Sequence, residues 1–444
     1  MKINMDQLKT ILLAFLVGLS IFLTWGIWSY QPSYNLISNG TTVENVSIGT
    51  KKEIDDVITP TKMIYSINNQ LFLGTTNPIE INNIMNEIQN WDFSKLTNIS
   101  YSIDDFYTII NSTNQLQLNF SIYVPMEIYK TTLDEKNSNL PNFTFDQIIL
   151  DFSNTNQEYG NIYFVLTKSK EVYQSSIPAS FLTGIKKNYL ENNSELLRYQ
   201  CKILDSGRRI YYQEDMTNVY SYQHLFMPVE SDQFKNALFK NPDLVQKNSI
   251  ISGTEFTDGF SILRIYDNYV ISYVNPSEML HGFNQSTMTT SQIIKRSIDY
   301  VNTHAGWNYT YQLMSNDSSD NKIEYRMFYP DGFPIYSDTP GLTTINLRLG
   351  NNGIVEYFRG NYTLGIEMER FQIDLLTGTE VLDYLNQMEN FNLDSIQDLA
   401  LGYKMKREGS SRIVYLLPTW YYEMDNQWYE ISLERSQNNG LEQN

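Results

Sequence analysis

Between Thr10 and Tyr34 the chain carries no charged side chain, and Ile11–Trp28 is almost wholly apolar. About 20 residues of helix cross the roughly 30 Å hydrocarbon core of a bilayer, so the run is long enough to span one. Trp25, Trp28 and Tyr30 cluster at its far end, where indole and phenol rings favour the headgroup layer and act as membrane-interface anchors. Lys2 and Lys9 precede the run, and the next basic residue is Lys51. The positive-inside rule then keeps the N-terminus cytoplasmic and puts the remainder outside the cell membrane, a single-pass topology. A cleaved signal peptide is the alternative. Its apolar region is usually about 7–15 residues and ends in small residues. Here the run ends Thr24-Trp25-Gly26-Ile27-Trp28, a poor cleavage site, so an uncleaved anchor is expected.

Within the run, Ala14 and Gly18 form an i, i+4 small pair, and Ser20 and Thr24 a second, polar pair. Small residues let two helix backbones approach, and hydroxyls bond across an interface in lipid. The four are candidates for a helix–helix contact. Such spacing also arises by chance in apolar helices, so plain anchoring stays open beside it.

Charge narrows the partners. Residues 1–30 hold only Lys2, Lys9 and Asp6, which leaves 30 basic against 49 acidic side chains, a net -19, for the rest of the 444 residues. No basic cluster interrupts this acidity, which argues against nucleic acid. A domain so acidic is also repelled by anionic lipid headgroups and wall polymers. The single Cys201 excludes an intramolecular disulfide and multi-cysteine metal sites.

Beyond the anchor (1–30), residues 31–57 read as a polar tether. Periodicity and turn residues divide the remaining chain into three α+β blocks, 58–197, 198–285 and 286–433, with a polar tail over 434–444. Asn77-Pro78 reads as a helix N-cap followed by proline, with Ile81, Ile84, Met85 and Ile88 at helical spacing. Further helices are expected over Pro178–Asn192, Ser231–Phe239, Thr290–His304 and Gly378–Phe391. Strands are expected at Gln147–Phe152, Asn161–Thr167, Glu171–Ser175, Arg198–Leu204, Arg208–Gln213, Ser261–Tyr266, Tyr269–Val274, Glu324–Tyr329, Thr343–Leu349, Ile354–Arg359, Leu399–Met405, Arg412–Pro418 and Trp428–Ile431. The fold class is therefore α+β: one N-terminal transmembrane helix, then antiparallel sheets covered by helices.

Chemistry is sparse. The chain lacks G-x-x-x-x-G-K-[ST], G-x-G-x-x-G and G-x-S-x-G, so no catalytic residue, cofactor or metal is assigned. His224, His281 and His304 lie in no recognisable setting, and structural roles are expected for all three. A helix C-terminus would favour the cationic form of His304. Asp104-Asp105 would point to opposite faces of a strand, and Glu367 and Glu369 to one face, but with 50 acidic residues such pairs arise by chance. Trp420-Tyr421-Tyr422 and Trp428-Tyr429 form the densest aromatic group, a sugar platform or a hairpin core.

Two segments resemble a known family. Leu8-Lys9-Thr10 with Ile11–Trp28 is similar to the membrane anchor of the YycH family of low-GC Gram-positive bacteria. So is the C-terminal stretch Leu399-Ala400-Leu401-Gly402-Tyr403, then Leu416-Leu417-Pro418-Thr419-Trp420-Tyr421 and Gln427-Trp428-Tyr429. The middle matches in layout, as at Gly332-Phe333-Pro334-Ile335. The resemblance implies a single-pass, non-enzymatic regulator working with a YycI-like single-pass protein on WalK (YycG), the sensor histidine kinase of the WalKR cell-wall system. It implies contact through the transmembrane helix and leaves the sign of regulation open. The rival reading is a cell-envelope polysaccharide-binding protein using Trp420, Tyr422 and Trp428. An envelope hydrolase with converging carboxylates is a third.

Overall fold

A computed structural model describes residues 13–24, 48–93, 95–99, 102–133, 140–153, 155, 157–191, 193–214, 219–280, 288–409 and 411–432. Residues 13–24 are helical and belong to a unit over 1–42, separate from that over 43–444. Among the described residues no helix is long and apolar enough to cross a membrane.

The larger unit is built on three sheets. The first has nine strands, in the order Thr97–Asn98, Glu171–Pro178, Tyr159–Leu166, Thr144–Asp151, Gln115–Pro125, Lys62–Ser66, Phe72–Thr75, Leu197–Ile203 and Arg209–Gln213. All neighbours are antiparallel. Lys62–Ser66 is buried along its whole length. Helix Pro78–Gln89 covers one face: the Asn77 side chain accepts from the Ile79 amide, proline opens the first turn, and Ile81, Ile84, Met85 and Ile88 are buried. Burying each such side chain contributes about 1.5–3 kcal/mol, which is what fixes the helix to the sheet.

The second sheet has eight strands: Gln246–Ile250, Gly253–Thr257, Ile262–Tyr266, Val270–Val274, Ile354–Gly360, Thr344–Leu349, Lys322–Met327 and Tyr311–Asp317. Helix Thr290–Thr303, with a Thr289/Gln292 capping box, buries Ile293, Ile294, Ile298 and Val301. The third sheet has Ile335–Tyr336, Asp398–Arg407, Ile413–Met424, Tyr220–Pro228 and Tyr362–Gln372 in order, and Gln427–Glu430 folds back on Ile413–Met424. Helix Gly378–Gln387 covers a second core of Val381, Leu382, Leu385, Leu399, Leu401 and Trp420. Strands on both sides of residue 285 share the second sheet, and strands from 220 to 430 share the third. The chain thus crosses between these sheets repeatedly.

The α+β class with mostly antiparallel sheets is as expected, and the elements differ in detail. Asp104-Asp105 lie not in a strand but in helix Ile103–Ile110, where Ser102 caps the Asp105 amide. The helix begun at Ala179 ends at Ile185 and passes into a wide π turn, Lys186–Leu190. The strand expected over Arg412–Pro418 continues to Met424, because residues 419–422 pair across to Ala400, Leu401 and their neighbours. The strands at 62–66, 72–75, 115–125, 311–317 and 362–372 went unread, as did the hairpin 246–257 and the two-residue strands 97–98 and 335–336, while the weak alternation over Val219–Phe226 corresponds to strand Tyr220–Pro228.

Candidate functional site

Strand Tyr362–Gln372 lies at an edge of the third sheet. It pairs with Tyr220–Pro228 on one side, and no strand lies on its other side among the described residues. From Ile366 to Gln372 every residue is exposed, including Ile366 (74%), Met368 (48%) and Phe371 (47%). An edge of this kind, with Ile366, Met368 and Phe371 exposed beside Glu367, Glu369 and Arg370, is a template for adding another strand. The pairing shifts register around His224, placing Glu367 opposite His224 and Glu369 opposite Gln223.

A buried polar network stiffens the sheet behind the edge. His224 Nδ1 lies 3.2 Å from the Gly365 carbonyl, and Nε2 lies 3.0 Å from the Tyr329 hydroxyl. A carbonyl only accepts, so Nδ1 donates to Gly365, and the Tyr329 hydroxyl at Nε2 also reaches Glu367 Oε2 at 3.4 Å. Tyr329 packs on Tyr222 at 4.5 Å and on Tyr403 at 5.3 Å. Tyr403 donates to Asp331 Oδ2 at 2.5 Å. Burial pushes the Asp331 carboxyl up to about 6, against the pull of that hydrogen bond. Burial, reinforced by the Glu367 charge, also raises Tyr329.

A second polar cluster joins the first and third sheets. Asp398 and Glu423 stand directly opposite each other on neighbouring strands, an arrangement that like charges disfavour. Lys62 from the first sheet reaches Asp398 at 2.7 and 2.8 Å and the Tyr211 carbonyl at 3.4 Å. Arg208 donates to the Ile396 carbonyl at 3.0 Å. Burial, then the Asp398 charge, pushes Glu423 up to about 7, with Lys62 and Arg208 opposing. Asp146, on a first-sheet strand, is pushed by burial up to about 6, although Thr167 hydrogen-bonds it.

The model of the YycH protein N-terminal domain matches residues 6–194, and that of the C-terminal domain matches 207–438. The chain belongs to the YycH family. It is 24% identical over 451 residues to the two-component system WalR/WalK regulatory protein YycH of Bacillus subtilis (strain 168), covering 96% of each chain. Its fold is similar to the crystal structure of YycH from Bacillus subtilis, with a TM-score of 0.68 and 19% identity, covering 86% of this chain and 98% of that one.

In this YycH-family chain Ala14, Gly18, Ser20 and Thr24 lie on the helix 13–24, all exposed, and a side chain at Gly18 would meet nothing within 4 Å. At about 100° per residue the two pairs face directions about a third of a turn apart. The Thr24 hydroxyl already donates to the Ser20 carbonyl at 2.8 Å, so its proton serves the helix itself. Trp25, Trp28 and Tyr30 lie outside the described residues, as does His281. His304 ends helix Thr290–Thr303 and stacks on Tyr300 at 3.9 Å, and burial lowers its pKa. The helix C-terminus therefore does not hold it cationic, because desolvation outweighs the dipole. Burial pushes the Cys201 thiol up to about 11, which makes it a poor nucleophile.

The aromatic group is divided. Trp420 is 2% exposed and donates to the Leu376 carbonyl at 2.9 Å, and Tyr421 is buried against Tyr336. Tyr422 stacks on Tyr429. Trp420 and Tyr421 thus belong to the core, whereas Tyr422, Trp428 and Tyr429 are half-exposed. Among the described residues no three His, Cys, Asp or Glu side chains gather as metal ligands. Sequence reasoning missed the edge strand, because Tyr362–Gln372 alternates poorly around its bulge. It also missed the Lys62–Asp398 pair, whose partners lie 336 residues apart.

Proposed function

We propose that this protein is a non-enzymatic, membrane-anchored regulator of a WalK-type sensor histidine kinase, acting by contact. The observation that carries the reading is the end-to-end similarity, 96% of both chains, to a protein named as a WalR/WalK regulator. The anchor is the helix containing residues 13–24. Its described part is about 18 Å long, and a helix as long as the apolar run Ile11–Trp28 would measure about 27 Å, near the thickness of a bilayer core. The N-terminus is cytoplasmic and the acidic remainder extracytoplasmic, following the placement of Lys2 and Lys9.

Helix packing that differs between two kinase states by about 1–3 kcal/mol shifts output several-fold or more. The ectodomain binds a YycI-like sister protein, and the open edge at residues 366–371 is a surface suited to strand addition. Replacing residues 8–30 with an unrelated spanning helix is expected to abolish kinase control while the ectodomain stays folded. Phosphorylation of the response regulator in cells reads this out, and unchanged control would defeat the intramembrane mechanism. Titration of the ectodomain with peptidoglycan fragments tests the polysaccharide reading. The burial of Trp420 leaves that reading without its central ring.

A further inference from the structure

The chain entering the ectodomain from the N-terminal side does not run directly into the first sheet. Residues 48–52 first cross the corner after helix Thr290–Thr303. Ile48 and Gly49 donate their amides to the Ala305 carbonyl at 3.0 and 2.8 Å. Thr50 and Trp307 exchange both backbone hydrogen bonds, at 3.0 and 2.9 Å. Asn302 then holds both ends of Lys52, accepting from its amide at 2.9 Å and donating to its carbonyl at 2.8 Å, while also accepting from the Trp307 indole at 2.8 Å.

The crossing is tight enough to demand glycine on both sides. A Cβ on Gly49 would stand 2.2 Å from the carbonyl carbon and oxygen of Trp307, and one on Gly306 (φ +73°) 2.8 Å from the Gly49 oxygen. The corner is braced from within. Arg359, fully buried on a second-sheet strand, donates to the Gly306 carbonyl at 2.7 Å, to the Tyr357 hydroxyl at 2.7 Å and to the Asn308 side chain. A cation so deeply buried is costly unless its donors are engaged. Its two terminal nitrogens are engaged at residues 306 and 308, so displacing this corner would strand them, while Nε has no hydrogen-bond partner among the described residues. The helix Ile54–Val57 next packs beside second-sheet strand Tyr311–Asp317, and only then does the chain reach Lys62.

We propose that this clasp is the coupling point between membrane-proximal chain and ectodomain. Motion or load passes through residues 48–52 into residues 302–308 and the eight-stranded sheet before the chain reaches the nine-stranded sheet that comes next in sequence. The inference rests on the regulator reading above. The test uses the full-length protein in membranes with its kinase, comparing Gly49→Val, Asn302→Leu and the 8–30 helix replacement. Amide exchange is followed at Thr50 and Trp307, with Leu118 in the nine-stranded sheet as the reference for the fold. Loss of protection at Thr50 and Trp307 by about ten-fold or more, with Leu118 unchanged, shows the clasp opened. Kinase output is then expected to change about five-fold or more, toward that of the helix replacement. If the clasp opens and output stays normal while the helix replacement alters it, the clasp proposal is overturned and the regulator reading stands. If the helix replacement also leaves output normal, both fall. Should Gly49→Val lose protection at Leu118 as well, Asn302→Leu, which removes only side-chain bonds, decides the matter on the same two readouts.

Discussion

At the residue scale, the Asp398–Glu423 pair makes a pH prediction with a definite sign. The folded state holds Glu423 near 7, above its ordinary value of 4.5, so ionising it costs the folded state more than the unfolded one. That penalty is absent below about pH 4.5, grows as pH rises, and is complete above about pH 7. Glu423→Gln is therefore expected to raise stability by about 2 kcal/mol at pH 8, allowing for partial solvent screening, and to change little at pH 4. Urea denaturation at the two pH values checks it, and an equal effect at both would refute it. Lys62→Met removes the cation that binds Asp398 and offsets the Glu423 charge, and is expected to cost about 3 kcal/mol at pH 8. The loss should shrink toward pH 5, where Glu423 is neutral. Neither effect was legible in the sequence, since nothing local marks Lys62 as the partner of Asp398.

At the scale of elements, local signals served well where capping and periodicity agreed. Asn77-Pro78 opened a helix as its residues require, and the hairpin 262–274 turns at Tyr269 with φ +64°, beside Asp267-Asn268. Strands such as Lys62–Ser66 were hidden, because burial on both faces erases alternation. The edge strand Tyr362–Gln372 was hidden because its bulge breaks the alternation and its outer half is exposed on both faces. Because its outer half packs against little, Met368→Lys is expected to change stability by less than about 0.5 kcal/mol. The same substitution places a charge on the open edge and should weaken binding of the partner ectodomain, measured by co-purification. Undiminished capture would remove this edge from the interface.

At the scale of the whole molecule, the apolar N-terminal run, the acidity of the rest and the α+β class were all readable from the chain, whereas the exchange of strands between sheets was not. Ile262–Tyr266 and Val270–Val274 continue through Ile354–Gly360, while Tyr220–Pro228 lies between Tyr362–Gln372 and Ile413–Met424. Pairing across such distances is decided by the packed sheet and leaves no local trace. Fragment 286–444, which lacks Tyr220–Pro228 and the strands over 246–274, is expected to fold only when produced together with 1–285, as judged by solubility and near-UV circular dichroism. A stable, independently folded 286–444 fragment would contradict this.

The same exchange bears on how the protein is made. A chain emerging from its N-terminus presents Tyr220–Pro228 long before Tyr362–Gln372 and residues 413–416 exist to flank it. The nine-stranded sheet is complete by Gln213 and can close early. Everything after it must wait, with unpaired strand edges open to wrong partners, until nearly the last residue has arrived. Biogenesis of this protein is thus a two-speed process, and its slow half is where holding factors and premature termination matter most.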